Sequence, residues 1–186
     1  MKKLYRPVGL KELELILNSD SKRFPPRLSW QPIFYPVLNF DYAAQICYQW
    51  NVVDDNSGFS GFVTEFSLDE SYLEKFEEQV VGGDMHRELW VPSEELEEFN
   101  DRIIGGIQIT AAFYGEKYVG NIESSGRFKT MPATQQLLAV KTDWEKGNLD
   151  SLVKEESVAV QANFSYWKSL PQSGQLESLF KAIEKE

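Results

Sequence analysis

Residues 86–113, HRELWVPSEELEEFNDRIIGGIQITAAF, decide the fold class. The stretch opens with an extended run ended by Pro92, which has no amide to offer a sheet interior. Ser93 then reads as a helix cap, with Glu94 and Glu95 in the first turn where the helix dipole favours acid. Leu96, Phe99 and Ile103 recur at helical spacing, and Gly105-Gly106 reads as the stop. Beyond it Ile107, Ile109, Ala111 and Phe113 alternate with Gln108, Thr110, Ala112 and Tyr114, the period of a strand. Strand, helix and strand in so short a span predict an α+β core.

The flanking sequence extends that pattern. Upstream, Lys3–Val8 reads as extended, and Leu10, Leu13, Ile16 and Leu17 follow at helical spacing. Phe24–Pro36 holds four of the eight prolines and reads as an irregular loop entering a brief strand at Pro32–Val37. Asn39 is placed to cap a helix with Phe40, Ala43, Ala44, Cys47 and Trp50 inward. Phe59–Leu68 alternates as a strand, and Asp69 is placed to cap a helix stapled by Leu68 and Leu73. Downstream, residues 116–131 read as a linker or long loop, and 132–186 as a helical appendage in three pieces, the second over 149–167. The expected organisation is a core over residues 1–115, that loop, and the appendage.

Charge is unevenly placed. The 186-residue chain has 19 Lys+Arg against 29 Asp+Glu, a net charge of −10. Residues 65–101 alone hold 13 acidic and 2 basic side chains, whereas residues 1–30 hold 7 basic and 3 acidic. A net acidic chain lacks the basic footprint of a general nucleic-acid binder and the polybasic patch of a membrane-surface protein. The central acidic stretch reads either as a solvated helix surface or as a face for a basic partner. A single Cys excludes an intramolecular disulfide. No run approaches the roughly 20 apolar residues of a membrane span, and the charged, amphipathic start is unlike a signal peptide. The expectation is a cytoplasmic protein without a membrane anchor.

Few catalytic patterns are present. The phosphate-cradling loops GxGxxG and GxxxxGK[ST] are absent. Gly58-Phe59-Ser60-Gly61 misses the spacing of a nucleophile elbow. Cys47 falls on the apolar stripe of a helix, where packing is the plainer role. Asp84, His86 and Glu88 alternate on one strand, too few donors for a metal site, so no metal is expected.

Three segments taken in order resemble the ADP-ribosyltransferase fold: Tyr5-Arg6 in the first strand, Pro32-Ile33-Phe34-Tyr35 ahead of the helix at 39–50, and Glu88-Leu89-Trp90-Val91 opening a late strand. Leu4-Tyr5-Arg6-Pro7-Val8-Gly9 together with residues 86–100 also resembles small bacterial proteins labelled "ADP-ribosylation/crystallin J1". The resemblance spans about residues 3–115. It implies an ADP-ribosyltransferase-like core that binds NAD as substrate and transfers ADP-ribose to an acceptor it does not specify. Glu88 would be the catalytic carboxylate, stabilising the oxocarbenium-like ribose as the nicotinamide bond breaks. Arg6 would hold a phosphate or the ribose edge. Phe34, Tyr35 or Tyr42 would stack on the nicotinamide ring.

Arg6 and Glu88 are then expected to line one cleft. The segment departs from arginine-modifying relatives, since His86-Arg87-Glu88 lacks an acid two residues before the Glu. Plainer roles stay open for each residue: a strand-start Glu88, an internally paired Arg6, a core Phe34. The alternative function is a non-catalytic interaction protein whose acidic surface binds a basic partner.

Overall fold

The computed structural model describes residues 1–185. The chain forms two compact units, Met1–Tyr118 and Val119–Glu186. Helices and small sheets mix in the first, and the second is helical, so the chain is α+β.

The first unit is built on an antiparallel sheet in the order β1 (Lys2–Val8), β3 (Ser60–Leu68), β7 (Ile104–Tyr114). Leu4, Val8, Phe62 and Phe66 fill one face. On the other, Val63 packs with Tyr42, Ala43, Ala44 and Cys47 of helix α2 (Phe40–Gln49). Asn39 caps α2 as its residue type predicts, its Oδ1 accepting from the Tyr42 amide at 2.8 Å. Phe40 and Trp50 are not inward: they sit at the two ends of α2, past the stripe that meets the sheet, and are 37% and 53% exposed.

Helix α1 (Leu10–Asn18) follows β1 and buries Leu10, Leu13, Ile16 and Leu17. The short strands β2 (Ile33–Phe34) and β6 (Val91–Pro92) pair with each other, as do β4 (Glu78–Val80) and β5 (Arg87–Leu89). A single residue, Val37, connects these strands to the main sheet. It bridges Tyr5 on one side and Glu88 on the other.

Three local expectations are corrected. Asp69 and Ser93 make no side-chain cap bond. Helix α3 (Glu70–Leu73) is only one turn long, and Ser93–Glu95 is a 3-10 turn leading into α4 (Leu96–Asp101). Gly105 and Gly106 do not stop a helix but lie inside β7, at φ of +77° and +85°, where the pairing register with β3 shifts. Left-handed backbone favours Gly, and here it forms an irregularity in the strand. A second shift, between Val63 and Thr64, leaves Thr110 without a partner in the register, so Ile109 and Ala111 face opposite sides and the simple alternation fails.

The second unit contains α5 (Ala133–Glu145), α6 (Leu149–Glu155), α7 (Ser157–Ser169) and α8 (Glu177–Ile183). Glu156, at φ −114° and ψ 29°, divides what reads in sequence as one helix over 149–167. Residues 119–132 contain no helix or strand, yet they belong to this unit's core rather than to a free linker. Ile122 and Phe128 are fully buried. The Gly120 carbonyl accepts from Gln136 and Asn163, and the Glu156 carboxylate accepts from Ser125 Oγ and the Arg127 amide.

Candidate functional site

Arg6 is buried at 7% exposure, and its guanidinium is already committed. Its Nε donates to Glu12 Oε1 at 2.7 Å and Nη2 to Oε2 at 3.2 Å, the fork-on-fork geometry of a strong pair. Nη1 donates to the Tyr35 carbonyl at 3.3 Å, and Cζ lies 4.6 Å from the centre of the Phe34 ring. Arg27, directly after the Pro25-Pro26 pair, donates through Nε to the Ile33 carbonyl at 3.1 Å. The carbonyls of Pro32 and Pro36 point toward the β5–β6 side, accepting from Ser93 and Leu89. Those of Ile33, Tyr35 and Val37 therefore point to the other edge. Val37 gives its carbonyl to Tyr5. The two arginines serve the other two carbonyls, where β2 has peeled away from β1. Burial and the neighbouring Arg6 charge both pull the Arg27 guanidinium below its ordinary value.

Glu88 is 9% exposed, and its carboxylate is held by a neutral donor. Trp90 Nε1 donates to its Oε1 at 2.7 Å. The Tyr42 phenol lies beside the same carboxylate, and burial together with the Glu88 charge holds that phenol above its usual range. Among the described residues no cation lies within ion-pair distance of Glu88. Around it stand aromatic rings: Tyr35 edge-on to Trp90 at 6.1 Å, and His86 over Tyr42 at 4.7 Å. Trp90 is 45% exposed.

The strand pairings decide which of these side chains meet. Residues opposite one another in an antiparallel pair share a face, and successive residues alternate. Ile33 opposes Pro92, Phe34 opposes Val91, and Val37 opposes both Glu88 and Tyr5. That register is continuous and sets Tyr5, Tyr35, Val37, Glu88 and Trp90 on the α2 face. Arg6 and Phe34 point the other way.

The expectation that Arg6 and Glu88 line one cleft is therefore overturned. Arg6 comes one residue after Tyr5, the residue that shares a row with Glu88, and a one-residue offset reverses a strand side chain. Phe34 is likewise no ring platform. It is fully buried against Phe24 and Phe99, with centroids at 4.9 and 5.5 Å. Glu88, Tyr35 and Tyr42 do come together. Trp90 joins them without having been singled out, although its place two residues after Glu88 on a strand was the available signal.

The remaining reactive groups have structural surroundings. Burial pushes the Cys47 thiol up to about 12, against an ordinary 9.0, which leaves it a packing residue rather than a nucleophile. His86 uses both ring nitrogens, one near Gln45 at 3.0 Å and one at the Gly83 amide at 3.2 Å. Among the described residues no three His, Cys, Asp or Glu side chains are grouped to hold a metal, and no helix is long and apolar enough to cross a membrane. Compared with known protein families, with curated proteins and with solved structures, the chain matches none.

Proposed function

We propose that the first unit is a binding module for a basic partner, with Glu88 as the point that receives a cationic group. The observation that carries this reading is the Glu88 carboxylate itself. It is nearly buried, lacks a cation among the described residues, and lies beside a half-exposed Trp90. A buried carboxylate satisfied only by neutral donors gains most when a cation arrives, and aromatic faces add to the attraction. The surrounding field agrees, because residues 1–118 carry 20 Asp/Glu against 11 Lys/Arg.

A second reading is ADP-ribosyl transfer from NAD. What favours it is that Glu88, Tyr35 and Tyr42 share a face, as a site for a flat cationic nicotinamide ring requires. It ranks second because Arg6 points to the face opposite Glu88. The unit's net negative charge also opposes a dinucleotide.

Titration calorimetry with a capped ten-residue peptide of alternating Lys and Val, and separately with NAD, tests the two. The first reading expects peptide binding that weakens at least tenfold in Glu88→Gln, with no rise in melting temperature on adding NAD. A melting temperature raised by NAD, with no peptide binding, replaces it with the second.

A further inference from the structure

We infer that the basic partner is an extended segment that adds itself as a strand along the outer edge of β4. This rests on the basic-partner reading and names how that partner is held. In the β4–β5 hairpin, the Val81 amide donates to the His86 carbonyl, and Gln79 stands opposite Glu88. The carbonyl of Arg87 and the amide of Leu89 are taken on the far side of β5, by Leu38 and Pro36. Glu88 therefore turns its backbone toward Gln79. Antiparallel bonding alternates, so Glu78 and Val80 direct their amides and carbonyls away from the hairpin.

No backbone partner meets these groups among the described residues. Val80 is 53% exposed, and Val81 beside it is exposed as well.

An open sheet edge invites another strand, and its charge selects which one. Glu77 precedes β4, and Asp84 lies at the hairpin turn beyond its other end. Both are exposed and make no ion pair among the described residues. A second copy of this chain presents the same acids and is repelled, whereas a lysine-bearing strand is complemented at both ends.

The row Gln79–Glu88–Val37–Tyr5 runs across the sheet on one face. A side chain on the added strand opposite Gln79 continues that row. It starts two strand spacings, roughly 9–10 Å, from Glu88. A lysine there leans across Gln79 toward the buried carboxylate and the Trp90 ring. The edge thus supplies backbone pairing, and Glu88 supplies the choice of a cation.

The experiment uses the full chain with two capped peptides of equal charge, alternating Lys-Val and alternating Lys-Pro. The Lys-Pro peptide cannot donate the backbone bonds that strand addition needs. The expected result is at least tenfold tighter binding of Lys-Val, with Glu88→Gln and Val80→Pro each weakening it at least tenfold. Proline at 80 removes an outward amide while leaving the hairpin's own bonds in place. Amide exchange on the wild type is the second measurement, and the Val80 amide is expected to slow when Lys-Val is added. Equal binding of the two peptides, or Val80 exchange unchanged at saturation, overturns strand addition. If Glu88→Gln still weakens binding in that case, the basic-partner reading stands without it. If neither peptide binds, both fall.

Discussion

Cys47 shows how the environment rewrites a residue's chemistry. It is fully buried on the sheet-facing side of α2, and burial raises its thiol from 9.0 to about 12. The folded state therefore holds this proton more tightly than the unfolded chain. The resulting stabilisation is complete below pH 9 and is lost as pH rises toward 12. Three pK units correspond to about 4 kcal/mol as an upper figure. Chemical denaturation between pH 8 and 12 is expected to show wild type losing more stability than Cys47→Ala across that window. Parallel curves for the two proteins would count against the burial argument. The same surroundings predict alkylation by iodoacetamide at pH 8 only through unfolding, read as a modification rate that tracks denaturant concentration.

At the scale of elements, α2 and β3 approach closely at Gly61. A Cβ placed on Gly61 would lie 2.6 Å from Cys47 Cβ and 2.7 Å from Cys47 Cα. The second contact is with backbone, so no rotamer change relieves it. Gly61→Ala is expected to cost about 2–3 kcal/mol, the scale of overpacking in a filled core, measured as a shifted urea midpoint. Because α2 also carries Tyr42, moving it off the sheet shifts Tyr42 relative to the Glu88 carboxylate beside it. Peptide affinity is expected to fall along with stability. Asn39 holds the other end of the helix and also donates to the Met85 carbonyl, which ties α2 to the β4–β5 hairpin.

At the scale of the molecule, the two units keep separate cores. In the second, Leu179, Phe180 and Ile183 of α8 are buried, and Phe180 meets Phe164 of α7 edge-on at 5.8 Å. An isolated helix of seven residues is not stable in water, so this packing is what maintains α8. Phe180→Ala is expected to cost about 3–5 kcal/mol within residues 119–186. Calorimetric melting of the variant is expected to resolve an early transition for that unit. Binding of the Lys-Val peptide below that transition is expected to match wild type. Loss of binding in the folded variant would show that the second unit takes part.

The sequence by itself determined the local elements with strong periodicity and local chemistry. The β3 strand, the stripe of α1 and the Asn39 cap depend on neighbours within a few residues, which is why they are legible without a fold. It also singled out Glu88, Tyr35 and Tyr42, which the fold does bring together. The tertiary structure alone decided what depends on register. Whether a strand residue faces one side or the other turns on a single-residue offset between segments 30 to 80 positions apart, and no local pattern encodes it. That offset, fixed where Val37 inserts between Tyr5 and Glu88, sends Arg6 to Glu12 and Phe34 into the core. The bulge at Thr110 and the burial of Ile122 and Phe128 inside a polar loop have the same origin. They answer to partners that are distant in sequence, and only the packed chain supplies those partners.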